Sequence, residues 1–130
     1  MFSISGTDIM TKTQAEIQRQ LEALSRNYAH RLPAQLAEIQ SEWRCSQHDC
    51  ENPHALATMH RIVHTVAGSG ATFGFPRVSD TARKLNLLLE NAIAGKIPID
   101  SEFRDKVGVL LAELTRVVPQ PPRAPAFVTK

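Results

Sequence analysis

Excess charge is scarce in this chain: 15 lysines and arginines stand against 13 aspartates and glutamates, a net charge of +2. That is too little to imply nucleic acid or an anionic membrane as a partner. Long apolar runs are missing too, and no stretch approaches the ~18 consecutive apolar residues of a membrane span. The amino end, MFSISGTDIM, has no positive segment ahead of an apolar run and does not read as a secretory signal. Cytoplasmic residence is the expectation. Only two cysteines occur, Cys45 and Cys50, which is no disulfide framework, so a reduced pair is expected. Aromatic residues are 5% of the chain and β-branched runs are few, which leans the 42% hydrophobic content towards helix.

The 130 residues fit one domain with a real core. Residues 1–10 read as an N-terminal lead-in. From Thr11 a helical pattern begins, with Ala15, Ile17, Leu21 and Leu24 at helical spacing and Thr13 with Glu16 as a capping box. It runs on through Tyr28, Leu32, Leu36 and Ile39 to Trp43, the last of these expected in the core or as its end cap. Pro33 interrupts it, which predicts a kink or a new helix from about Arg31. The polar stretch RCSQHDCENP, residues 44–53, reads as a loop.

A further helix opens near Pro53 and runs to about Phe73. Its apolar side holds Leu56, Met59, Val63, Val66, Gly70 and Phe73. The next starts near Pro76 or Val78, carries Val78, Ala82, Leu85, Leu88, Leu89 and Ala92, and ends at Gly95. The last follows Pro98, with Asp100 or Ser101 as its cap and Glu102 in its first turn. Its stripe is Phe103, Val107, Leu110, Leu111, Leu114 and Val117 or Val118. Such helices, joined by short loops, bury their stripes together only as a bundle. The expected fold is all-α, an up-and-down four-helix bundle over residues 11–118 with an additional short N-terminal helix. Residues 119–130, PQPPRAPAFVTK, are a Pro-rich flexible tail, a linker or simple terminus rather than a ligand for a proline-binding domain.

The run His64–Gly74, HTVAGSGATFG, spends helix propensity on two glycines, each at a cost of roughly 1 kcal/mol against alanine. At 100° per residue His64 lies roughly 130° from the centre of the apolar stripe, on the solvent side. Ala57, Arg61, Gly68 and Ala71 surround it on that surface. Three of these are nearly absent as side chains, so the imidazole stands above a shallow floor with a positive charge one turn back. Gly70 falls instead on the packing side. The chain has no carboxylate and nucleophile to complete a hydrolase triad around this histidine, and GSG at 68–70 lacks the Gly-Lys-Ser/Thr ending of a phosphate-binding loop. A neutral imidazole nitrogen that a second macromolecule can reach is a competent nucleophile. Arg61, and Arg83 or Lys84 on the next helix, are candidates for charge support to a phosphoryl group.

These residues resemble the signature of bacterial histidine-containing phosphotransfer (Hpt) domains. His64 matches the phospho-accepting histidine, Gly68 the glycine that lets a partner approach, Ser69 the small position after it and Gly74 the helix-terminating glycine. Phe73 and Phe75 match core positions, and RVSDTARKLNLLLE resembles the family's following helix. The resemblance covers about residues 25–117. It implies a phosphoryl carrier, not a kinase or hydrolase, that shuttles a phosphoryl group between receiver-domain aspartates in a two-component phosphorelay. It also implies that the outer imidazole nitrogen, Nε2, reacts. The partners it implies are response-regulator receiver domains or a hybrid sensor histidine kinase. Mg²⁺ is expected on the partner receiver, and no cofactor or metal on this chain. The sequence departs from the family at Ala67, where a lysine is usual.

That departure keeps two other readings open: a receiver-binding interaction module without phosphotransfer, and a structural helical scaffold whose glycines serve helix packing. His60 is expected to border the helix seam, and His30 and His54 to be solvated. Neither the His60–His64 pair nor Cys45, His48 and Cys50 has the further ligands of a convincing metal site.

Overall fold

The structure, a computed structural model, describes residues 6–48 and 54–119, with side chains described from Thr13 onward. The expectations placed on Cys50, the remaining loop residues and most of the Pro-rich tail lie outside these residues. Four helices make up the described chain: α1 (Gly6–Gln47), α2 (Ala55–Thr72), α3 (Pro76–Ile93) and α4 (Ser101–Val117). Sequential neighbours pack side by side, α2 against α3 most closely, and α4 returns to touch α1. The result is an up-and-down bundle. No helix among the described residues is long and apolar enough to cross a membrane.

The stretch expected as an additional short N-terminal helix is the first half of α1. The helix begins at Gly6, so Thr13 and Glu16 are interior and form no capping box, and it continues through Pro33 without ending. A proline inside a helix removes one backbone hydrogen bond and costs about 3 kcal/mol. Burial of Tyr28 and Leu32 before it, and Leu36, Ile39 and Trp43 after it, offsets that cost. The predicted loop at 44–53 also starts later, because α1 runs to Gln47. Cys45 is disulfide-bonded, which corrects the expectation of a reduced pair.

The core collects Leu32, Ile39, Met59, Val63, Val66, Val78, Leu85, Leu89, Val107 and Leu114, all essentially inaccessible. Trp43 lies against Phe103 edge to face, with ring centroids 6.0 Å apart, and closes the end of the bundle near the start of α4. At the other end Tyr28 packs on Phe73 and Phe75, centroids 4.9 and 5.8 Å away.

The helix ends follow local rules. The Asp100 side chain caps α4 by accepting from the Phe103 amide at 2.9 Å. Gly74 follows α2 with φ +88°, and the Phe75 amide donates back to the Gly70 carbonyl at 2.7 Å. Gly95 repeats this after α3 with φ +76°, the Lys96 amide reaching the Asn91 carbonyl at 2.9 Å. Both are left-handed glycine stops, a backbone state other residues enter only at a cost. Through the first of them, the sharp turn at 73–75 brings α3 back along α2 and sets the register of the pair.

Candidate functional site

His64 sits midway along α2 with its side chain exposed. The helix hides Met59, Val63, Val66, Ala67 and Gly70 and turns Ala57, Arg61, His64, Gly68 and Ala71 to solvent. An ideal Cβ at Gly68 would meet nothing within 4 Å. The floor beside the imidazole is therefore two methyl groups and bare backbone. The Thr72 hydroxyl donates to the Gly68 carbonyl at 3.2 Å and the Thr65 hydroxyl to the Arg61 carbonyl at 3.1 Å. Both hydroxyls are spent on the helix itself, which keeps them low on the surface.

Gly70 serves the opposite side. A Cβ there would lie 3.2 Å from the Ser79 amide nitrogen and 3.3 Å from its Cα. The absence of a side chain is what allows α3 to approach α2 so closely. From that contact the Ser79 hydroxyl, 1% exposed, donates to the Ala67 carbonyl at 2.6 Å. Ser79 Oγ in turn accepts from Arg83 at 3.0 Å, and Arg83 also pairs with Asp80 at 3.4 Å. Arg83 is thus tied to the α2 backbone one turn beyond His64, on the flank where Ala67 carries no charge of its own. Nothing in the sequence pattern singles out Ser79, because only the register between two helices sets it opposite Ala67.

The other candidates separate. Arg61 is exposed one turn before His64. Lys84 lines a groove between α3 and α4 together with Leu87, Asp105 and Val109, and its charge bears on Glu113 of α4. It does not join the α2 surface. Ser69 is half-buried and turns towards α1, where it hydrogen-bonds Tyr28. Burial pushes the Tyr28 phenol above its ordinary value, and the Ser69 bond and the Arg31 charge partly oppose that. Tyr28 also donates to the Val66 carbonyl at 3.5 Å, with the Arg31 guanidinium 5.9 Å above its ring. Phe73 is half-buried in the end cluster and Gly74 makes the turn, so both act through the shape of the helix end.

His60 lies one turn below His64, half-buried, with ring centroids 6.2 Å apart. Its Nε2 is buried and has no hydrogen-bond partner, as is Asn86 Oδ1 on α3. His60 precedes Ala67 by two turns and Asn86 follows Ser79 by two turns, so antiparallel packing sets them at one level. They form a polar level beneath the exposed histidine that the sequence pattern did not reveal.

An exposed imidazole, a floor without side chains and two arginines at its edges suit nucleophilic contact with a partner that docks from outside. A profile of the Hpt domain family matches residues 8–119 of the chain and so takes in the first half of α1 as well as the bundle. No curated protein and no solved structure matches the chain.

Proposed function

We propose, for a chain that belongs to the Hpt domain family and hence to the histidine phosphotransfer proteins of two-component signalling, that His64 is the residue that carries the phosphoryl group. The observation that supports this most is the pairing of an exposed His64 with the open backbone at Gly68, which leaves room for another protein's active site to close over the imidazole. Hpt domains interact with receiver domains of response regulators or hybrid kinases. The partner here is then a receiver whose aspartate bears the group as an acyl phosphate.

The lone pair of a neutral His64 nitrogen, Nε2 on the family's precedent, attacks phosphorus in line. A nitrogen–phosphorus bond forms as the bond from phosphorus to the aspartyl oxygen breaks, and the aspartate leaves as a free carboxylate. Mg²⁺ on the receiver supplies neutralisation of the phosphoryl oxygens. From this chain Arg61 on one edge and Arg83 on the other add positive charge, and Ala57, Gly68 and Ala71 let the receiver come close. Reversal onto a second receiver aspartate completes a shuttle. The proposed setting is cytoplasmic.

The test mixes the protein with phosphorylated receiver domains and follows the label. An acid-labile, base-stable phosphoryl group is expected on the wild-type chain and none on His64→Gln. Label that persists in His64→Gln would overturn the assignment. Interaction without transfer is the second reading, since Ala67 supplies no cation of its own and leaves charge support to Arg61 and Arg83. Receiver binding with no label on the wild-type chain would decide for it.

A further inference from the structure

The first half of α1 stands clear of the bundle. Residues 13–22 are exposed throughout, and Ile17, Leu21 and Leu24 are 49%, 50% and 48% accessible. These three sit at spacings of four and three, one narrow seam along a helix. In heptad terms Leu21 is an a position, and Ile17 and Leu24 are d positions. Every charge between residues 13 and 27 falls away from the seam: Glu16, Arg19, Glu22 and Arg26 occupy b, c and f. The flanking e and g positions are Thr13, Gln18, Gln20, Ser25 and Asn27, none of them charged.

Two features say what covers this seam. An a/d-only stripe is narrower than the face a helix presents to a bundle, and it fits one other helix. The seam also continues the face that α1 buries against its own core, where Tyr28, Leu32, Leu36, Ile39 and Trp43 are covered by α2–α4. The face that packs the core thus runs off the end of the bundle, its apolar residues continuing at spacings of three and four. Uncharged flanks present nothing that repels an identical helix and nothing that selects a differently charged one.

We infer that the seam over residues 13–27 binds the same seam of a second copy of this chain. From Tyr28 onward the face is already filled, so a partner helix has room only over 6–27, about 33 Å of helix. A parallel partner would drive the second half of its α1 into this bundle. An antiparallel partner leaves the two bundles at opposite ends, with Ile17 of each copy near the middle of the shared stretch. With about three heptads available the dimer is a weak one.

The test is sedimentation equilibrium of the whole chain in reducing buffer, from about 1 to about 500 µM, so that association through cysteines is removed. Wild type is expected to pass from one 14.4 kDa chain to two across that range. Leu21→Glu is expected to remain monomeric throughout, with the bundle's thermal transition retained. Leu87→Glu, at an equally exposed apolar residue on α3 (59% accessible), is expected to dimerise like wild type. Small-angle scattering of the dimer should show two separated lobes. A wild type that stays monomeric at the top of the range overturns the inference, as does a dimer that survives Leu21→Glu. A compact dimer in scattering overturns the antiparallel arrangement.

Discussion

Gly68 and Gly70 stand two residues apart on α2 and serve opposite sides of it. At Gly68 an added Cβ would meet open space; at Gly70 it would press on the Ser79 backbone at 3.2–3.3 Å. The same residue type thus once leaves a surface bare, which the proposed function uses for a docking receiver, and once lets two helices of the same molecule approach. On the proposed function the first serves transfer, and the second serves the fold. A rotation of 200° along the helix is all that separates them. The Ser79 side of the pair also feeds back to the surface, since Ser79 fixes both the Ala67 carbonyl and the Arg83 guanidinium.

Substitutions can pull these two uses apart. The largest effect is expected from Gly68→Gln: phosphoryl transfer from a labelled receiver falls about 100-fold or more, equal to roughly 2.7 kcal/mol on the barrier. Its urea midpoint is expected at or above that of wild type, because a residue with a side chain is a better helix former than glycine. A loss of transfer matched by a loss of stability would erase the distinction. Next comes Gly70→Leu, which overpacks the α2–α3 contact. It is expected to cost about 2–3 kcal/mol in urea denaturation, with transfer by the folded protein changed far less.

Ser79→Ala tests the link between the two sides. Removing the hydroxyl leaves the Ala67 carbonyl without that bond and releases Arg83, for an expected loss of about 1 kcal/mol in stability. A severalfold drop in transfer should accompany it, and Arg83→Lys should retain more activity than Arg83→Ala. The smallest effect has the opposite sign. Gly68→Ala is expected to stabilise the fold by about 0.5–1 kcal/mol through helix propensity alone, whereas Gly70→Ala should give no such gain because Ser79 stands in the way. Paired thermal melts of the two alanine variants would read that difference directly.

Much of this was legible in the residues. The 3.6 period of α2 separates Gly68 from Gly70 and sets His64 outward, and Asp100, Gly74 and Gly95 announce helix ends through local chemistry. The outcome at Pro33 was not legible, because the choice between a break and a continuous helix turns on apolar burial either side of it. Nor were the roles of Lys84 and Ser69, which face α4 and α1. Each helix's own pattern says which side is apolar, and is silent on which neighbour meets its polar margins. For the same reason Ile17, Leu21 and Leu24 read as part of one long core stripe, although none of the other described helices reaches far enough to cover them.

What the sequence by itself determined is periodic or local: the apolar faces of the helices, the glycine stops of α2 and α3, the Asp100 cap of α4, and an exposed histidine on a floor of small residues. These depend on one chain segment and its backbone, so one segment's residues suffice to state them. What only the tertiary structure decided is relational: the Ser79 bridge that holds Arg83 beside Ala67, the polar level of His60 and Asn86, and the uncovered half of the α1 seam. Such features depend on the register and length of one helix against another, set by packing summed over the whole core.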